Sequence, residues 1–241
     1  MKNSFFQRNH TLIWLVIFGI AMGFLEAIVV VYMRQLHYPQ GFEFPLKFLS
    51  PELLLIEWVR ELSTIIMLLA IGILTGKTNL QRFLYFLFSF AIWDIIYYVA
   101  LKLFLNWPAS FFTWDILFLI PIPWIGPVIA PVICSITMIY FSLGILKREE
   151  IGFVARLSTF DWISVIAGAT IIFISFTIDY FSILAQNGFL GSFLSLSDNQ
   201  HFWDIISQYE PVRFNWIIFS AGELLLLTRI SFVIYQMKRK D

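Results

Sequence analysis

Residues 11–33 read TLIWLVIFGIAMGFLEAIVVVYM, an apolar run whose one charged side chain is Glu26. At about 1.5 Å of rise per residue, a helix of this length crosses the roughly 30 Å hydrocarbon core of a bilayer. A charge near the bilayer centre costs at least ~2.5–3.5 kcal/mol on the insertion scale, so Glu26 needs a partner, a cavity or a pathway. The run therefore fixes the fold class and also points to a site. It is preceded by Lys2 and Arg8 and ends in Tyr32-Met33-Arg34. A cleavable signal peptide has a shorter apolar region of roughly 7–15 residues followed by small residues. This segment is read as an uncleaved first span.

Composition extends the reading to the whole chain. The protein is 59% hydrophobic and 13% charged, with a mean hydropathy of +0.81. Soluble domains run about 45–50% apolar and about 25% charged, so this is an integral membrane protein. Sixteen basic and sixteen acidic residues leave no net charge, which argues against a nucleic-acid partner and its basic stripe. The single cysteine, Cys134, excludes an intramolecular disulfide, a CxxC pair and a cysteine-based zinc site. Its neighbours Val132 and Ile133 are apolar, and a packing role is expected.

Six segments have the length and apolarity of spans: 11–33, 53–75, 80–105, 126–146, 162–183 and 214–237. The second is the weakest, because three charges occupy its first turns and only 62–74 is cleanly apolar. The expected fold is all-α, a single transmembrane domain over 1–241 built as a six-helix bundle. With the N-terminus inside, the inner segments hold Lys2, Arg8, Lys77, Arg82, Lys147, Arg148, Arg156, Lys238, Arg239 and Lys240, against only Arg34, Lys47 and Arg213 outside. That bias orients the protein in a bacterial cytoplasmic (inner) membrane with both termini cytoplasmic.

The outer connections are long. From 103 to 146 there is no lysine or arginine, and Pro108, Pro121, Pro123, Pro127 and Pro131 forbid one continuous helix. The reading is a short interfacial or re-entrant helix over 110–120, then a broken start to the fourth span, making a re-entrant outer hairpin. Such backbone is tolerated only where protein or a water-filled cavity covers it. It is either an aromatic interfacial loop or a lid over a polar site. A second outer helix is expected near Phe202, Ile205, Ile206 and Tyr209, capped by Ser197 or Asp198 and lying flat on the interface. The tripeptide Trp-Asp-Ile at 93–95, 114–116 and 203–205 has no matching flanks and is read as coincidence.

Depth organises the remaining charges. Counted inward from the outer end of each span, Glu26, Glu57, Glu61, Asp94 and Glu223 all fall about 9–16 Å deep. Lys102 lies nearer the rim, and only Arg229 falls toward the inner half. Glu57 and Glu61 are four apart beside Arg60 and Thr64, Asp94, Tyr98 and Lys102 form an i, i+4, i+8 stripe, and Trp216, Ser220, Glu223 and Leu227 share a face. Gly19 and Gly23 form a GxxxG pair that allows close helix approach, with Glu26 extending the face and His37 overhanging it from the outer rim.

Five acids facing two bases require protons, a metal or a cationic ligand for neutrality. The expected catalytic acids and bases are Glu57, Glu61, Asp94 and Glu26, with Arg60, Lys102, Tyr98, Glu223 and Trp124 gripping a ligand. A divalent metal on Glu26, His37, Glu57, Glu61 and Asp94 is a weaker possibility, because no helix carries the Glu-x-x-His pair of di-iron bundles. The structural alternative is a salt-bridge network, with Glu57 or Glu61 on Arg60 and Asp94 on Lys102. Three classes stay open: a site that binds or modifies a lipid-like or hydrophobic small molecule, an assembly subunit, and a proton- or cation-coupled carrier.

Overall fold

The computed structural model describes residues 2–38, 44–45, 50–189 and 200–239. Its helices are α1 (Lys2–His37), α2 (Pro51–Thr75), α3 (Asn79–Leu105), α4 (Ile129–Glu150), α5 (Thr159–Gln186), α6 (Gln200–Ile206) and α7 (Trp216–Gln236). Short strands β1 (Trp114–Phe118), β2 (Trp124–Pro127), β3 (Phe153–Val154) and β4 (Lys238–Arg239) complete it.

Local chemistry sets most helix ends. Ser50 caps α2 with Pro51 in the first turn, Thr78 accepts from the Gln81 amide at 3.2 Å, and Asn215 accepts from the Ile218 amide at 3.1 Å. Ser158 and Asp161 form a reciprocal capping box on α5. Asn106, with φ of 52°, ends α3 in the left-handed region just before Pro108.

Five helices are long and apolar enough to cross a membrane: α1 over His10–Leu36, then α3, α4, α5 and α7. The second helix is as long but carries Glu52, Glu57, Arg60 and Glu61. All are packed inside out relative to a soluble protein. Glu26, Glu57, Glu61, Asp94, Asp161 and Glu223 are buried, while Trp14, Leu36, Leu74, Ile217 and Tyr235 are exposed. Apolar side chains outside and charges inside are what a lipid solvent demands.

The helices form two groups. In the first, α1, α2 and α4 all pack on α3; in the second, α5 packs on α7; a lighter contact between α4 and α7 joins them. Several helix pairs approach very closely at glycines. A Cβ on Gly23 would stand 2.9 Å from Ile96 and from the Trp93 carbonyl, and one on Gly222 would stand 2.9 Å from the Gly168 carbonyl. Close approach through small residues is the usual packing device between membrane helices, where water supplies no drive for apolar contact.

One end of the bundle gathers the α2–α3 turn, the α4–α5 connection and β4. There Gln81 donates to Glu149 at 2.9 Å, and β3 pairs antiparallel with β4. The opposite end is roofed by β1 and β2, an antiparallel hairpin with Asp115 opposite Gly126, Ile116 opposite Ile125, and an irregularity between Ile116 and Phe118. This corrects the expected helix over 110–120. Pro121 and Pro123 make a turn, and the Trp, Ile and Phe residues beside it suit a pleated pair better than a helical turn. Gly126 and Pro127 accordingly belong to β2, and the fourth helix starts at Ile129.

The expected helix near Phe202–Ile206 is present as α6. Its Phe202 and Ile206 are buried against Tyr180, Leu184, Phe189 and Ile125. Its expected caps Ser197 and Asp198, like Lys47, Lys240 and the His37 side chain, lie outside the described residues.

Gly23→Val should force α1 off α3 and destabilise the protein by about 1–3 kcal/mol, as overpacking does. Thermal unfolding in detergent should show a lowered midpoint, while Ile20→Val on the exposed face should leave it unchanged.

Candidate functional site

The expected charge layer resolves into two places. The first joins α1, α2 and the hairpin. Arg60 on α2 is ion-paired with Glu26 on α1 and with Glu57 one turn back, its Nε donating to Glu57 at 2.9 Å, and Glu61 lies 3.9 Å away. Thr64 donates to the other Glu26 oxygen at 3.0 Å. The guanidinium is thus ringed by carboxylates from two helices. Its donors are spent on them, which is a salt-bridge network rather than an open grip for a ligand.

Glu61 turns instead to the hairpin. The Leu119 amide donates to both of its carboxylate oxygens at 2.9 Å. A strand end has no intrastrand partner for its amide, and a buried orphan amide costs free energy comparable to a lost hydrogen bond. The carboxylate supplies that partner. A few ångströms along, Arg34 at the end of α1 donates to Asp115 on β1 at 3.0 Å, and both side chains are buried. The Arg34 guanidinium also lies 3.9 Å from the centre of the Trp107 ring, a cation–π contact that further shields its charge. Burial pushes the Asp115 carboxyl up to about 6, with Arg34 pulling in the opposite direction. Arg34, Glu57, Glu61, Tyr97 and Asp115, together with the apolar Val30, Met33 and Ile116, line a half-open cavity of about 110 Å³.

The second place lies between α3, α4, α5 and α7, beneath the hairpin. A cavity of about 290 Å³ is walled by Phe90, Met138, Ala169, Phe173 and Leu226 and roofed by Phe118 and Trp124. Its volume is at the lower end of the roughly 300–1,000 Å³ of small-molecule pockets. Trp124 is fixed by its indole N–H donating to the Ile120 carbonyl at 2.8 Å and by an edge contact with Phe173. Asp94 and Glu223 reach the cavity from opposite helix groups. Asp94 Oδ2 accepts from Ser135 at 2.8 Å, and Glu223 Oε2 accepts from Thr137 at 2.8 Å.

Glu26, Glu57, Arg60 and Glu61 therefore meet as one network, whereas Asp94, Glu223 and Trp124 meet in a different cavity. Tyr98 is buried on α3 against both Asp94 and Asp115. Two expectations are corrected. Lys102 does not pair with Asp94; it is exposed and donates to the carbonyls of Asn106 at 3.2 Å and Pro108 at 3.0 Å, because the end of α3 leaves those acceptors open. Glu223 shares its buried face with Phe219, Gly222 and Ile230, while Trp216 and Ser220 are exposed, because the close Gly222–Gly168 contact turns that face inward. Arg229 pairs with Asp161 of the α5 capping box. Among the described residues, no group of three His, Cys, Asp or Glu side chains is placed to hold a metal.

The sequence reading missed Arg34 and Asp115. A signal existed: Asp115 is the one charged residue between 103 and 146, so a buried Asp115 must draw its base from another segment. Neither a protein-family model nor any curated protein or solved structure matches this chain.

Arg60→Met should cost about 3–5 kcal/mol by leaving Glu26 and Glu57 buried without a base, and adding Glu26→Gln and Glu57→Gln should recover most of it. Unfolding of the wild type, the single variant and the triple variant in mixed micelles measures this. Glu61→Ala should accelerate hydrogen exchange at the Leu119 amide about ten- to hundredfold, the equivalent of one charge-assisted hydrogen bond, with α3 and α4 amides unchanged.

Proposed function

We propose that this protein holds a lipid-like or hydrophobic small molecule inside the bilayer, in the cavity between α3, α4, α5 and α7. The observation that carries the reading is the cavity itself: a largely apolar chamber beneath a pinned hairpin, with two carboxylates on its wall. Ligand sites of this kind combine an apolar lining with a few convergent polar groups. In this reading Asp94 and Glu223 contact the ligand and Trp124 covers it. Glu26, Glu57, Arg60 and Glu61 act at one remove, holding the hairpin as the roof.

The setting follows from the charge bias and the packing. The protein sits in a bacterial inner membrane with both termini in the cytoplasm, and the hairpin re-enters from the outer side. The second helix is the sixth span. Its Leu55, Ile56, Leu62, Ile66 and Leu74 are exposed while Glu57, Glu61 and Thr64 face inward, a pattern suited to acyl chains outside and protein inside. A carrier would need polar access from both faces, and below Asp94 and Glu223 the cavity is walled by Phe83, Phe141 and Ile230. An assembly role is favoured by one observation, the saturation of Arg60 by carboxylates, and that observation concerns the network and not the cavity.

Ala169→Phe should fill the chamber while leaving the thermal midpoint within a few degrees, since the added ring enters empty space. Native mass spectrometry of gently purified wild-type protein should show a bound species of lipid or small-molecule mass that this variant lacks. An adduct insensitive to Ala169→Phe would overturn the assignment of the cavity.

A further inference from the structure

The polar groups of this cavity do not balance. Among the described residues, Asp94 and Glu223 line it, and no lysine, arginine or histidine does. Its two hydroxyl donors, Ser135 and Thr137, are already spent on Asp94 Oδ2 and Glu223 Oε2. The other oxygen of Glu223, Oε1, is buried and has no hydrogen-bond partner, on a residue that is only 5% exposed. The Cys134 thiol is a weak donor beside Glu223 and adds no positive charge. Leaving a buried carboxylate oxygen unpaired costs the full desolvation penalty of the group. A ligand group that both donates a strong hydrogen bond and offsets negative charge meets that need.

Resting on the reading of the cavity as a ligand site, we infer that it selects amphiphiles whose polar end is a protonated amine, with the ammonium donating to Glu223 Oε1 and Asp94 as the second counter-charge. The apolar remainder of the ligand fills the space walled by Phe90, Met138, Ala169 and Phe173. Selectivity comes from repulsion as much as attraction. A fatty-acid carboxylate or a phosphate would lie beside two acids with no base to neutralise it, and like-charge juxtaposition in a low dielectric is strongly unfavourable. A neutral alcohol could satisfy Glu223 Oε1 but would leave the charge uncompensated. The network around Arg60 does not serve this role, because its cation is occupied by Glu26 and Glu57.

The test uses the full chain in nanodiscs of zwitterionic lipid at neutral pH, with three probes of equal chain length: dodecylamine, dodecanol and dodecanoate. Binding is read by native mass spectrometry and by thermal shift, with Ala169→Phe as the background for non-specific partitioning. Dodecylamine should bind about tenfold or more tightly than dodecanol, and dodecanoate should not displace it, as expected for a charge-assisted hydrogen bond. Glu223→Gln, which keeps the shape, should reduce dodecylamine affinity about tenfold and leave dodecanol within about twofold. Asp94→Asn should act in the same direction, so the inference does not depend on one variant folding. Dodecanoate binding as tightly as dodecylamine, or dodecylamine affinity unmoved by both substitutions, would overturn the amine selectivity while leaving the cavity as a ligand site. If none of the three probes binds above the Ala169→Phe background, the ligand site itself falls.

Discussion

Everything at the hairpin end of this protein depends on giving partners to a backbone that is not helical. Helices satisfy their own amides, so a bundle can be surrounded by lipid at little cost. The β1–β2 hairpin cannot, and its Leu119 amide is met by the Glu61 carboxylate. That carboxylate in turn needs a cation nearby, and Arg60 stands 3.9 Å from it while tying Glu26 on α1 to Glu57 on α2. Arg34 and Asp115 add a buried ion pair further back on the same strand. One buried ion pair and one carboxylate–amide contact thus fix the hairpin over the bundle. A buried ion pair is a weak source of net stability, because desolvation offsets much of the attraction. Its use here is positional: it selects one placement of the roof.

The rigid roof and the helix pairing together shape the cavity. The glycine contacts draw α1 onto α3 and α5 onto α7, leaving the two groups to meet mainly through α4 and α7. The space between α3 and α5 is then wider than a direct helix contact would leave. Aromatic side chains, Phe90, Phe173 and Phe176 among them, line it without filling it. Asp94 comes from the first group and Glu223 from the second, so their meeting is a property of the whole bundle.

Much of this was legible in the sequence, and the parts that were not share a cause. Apolar runs located the long helices to within a few residues, and the i, i+4 spacing of Glu57 and Glu61 around Arg60 placed them on one face. Gly19 and Gly23 announced a close helix approach by α1, and the structure supplies α3 as its partner. Depth along a helix, however, says nothing about which neighbour a side chain meets. Glu223 and Glu26 were counted at similar heights, yet one faces Thr137 across α4 and α7 and the other faces Arg60. Lys102 was paired with Asp94 by spacing, while the open carbonyls at the end of α3 held it instead. The 110–120 segment was misread because its aromatic run has no clear period, and its strand character rests on pairing with residues beyond two prolines.

The α5–α7 pairing bears on the order in which the bundle can come together. During synthesis α5 precedes α7, so the nascent α5 emerges with Gly168 unopposed and with Asp161 lacking its guanidinium partner. Its neighbour α4 likewise waits for Glu223 to receive the Thr137 hydroxyl. The first three helices, by contrast, carry their mutual contacts within one continuous stretch of chain. Chain order thus sets an order of contact: α1, α2 and α4 meet their shared partner α3 as they are made, whereas α5 acquires its main partner only when α7 follows it.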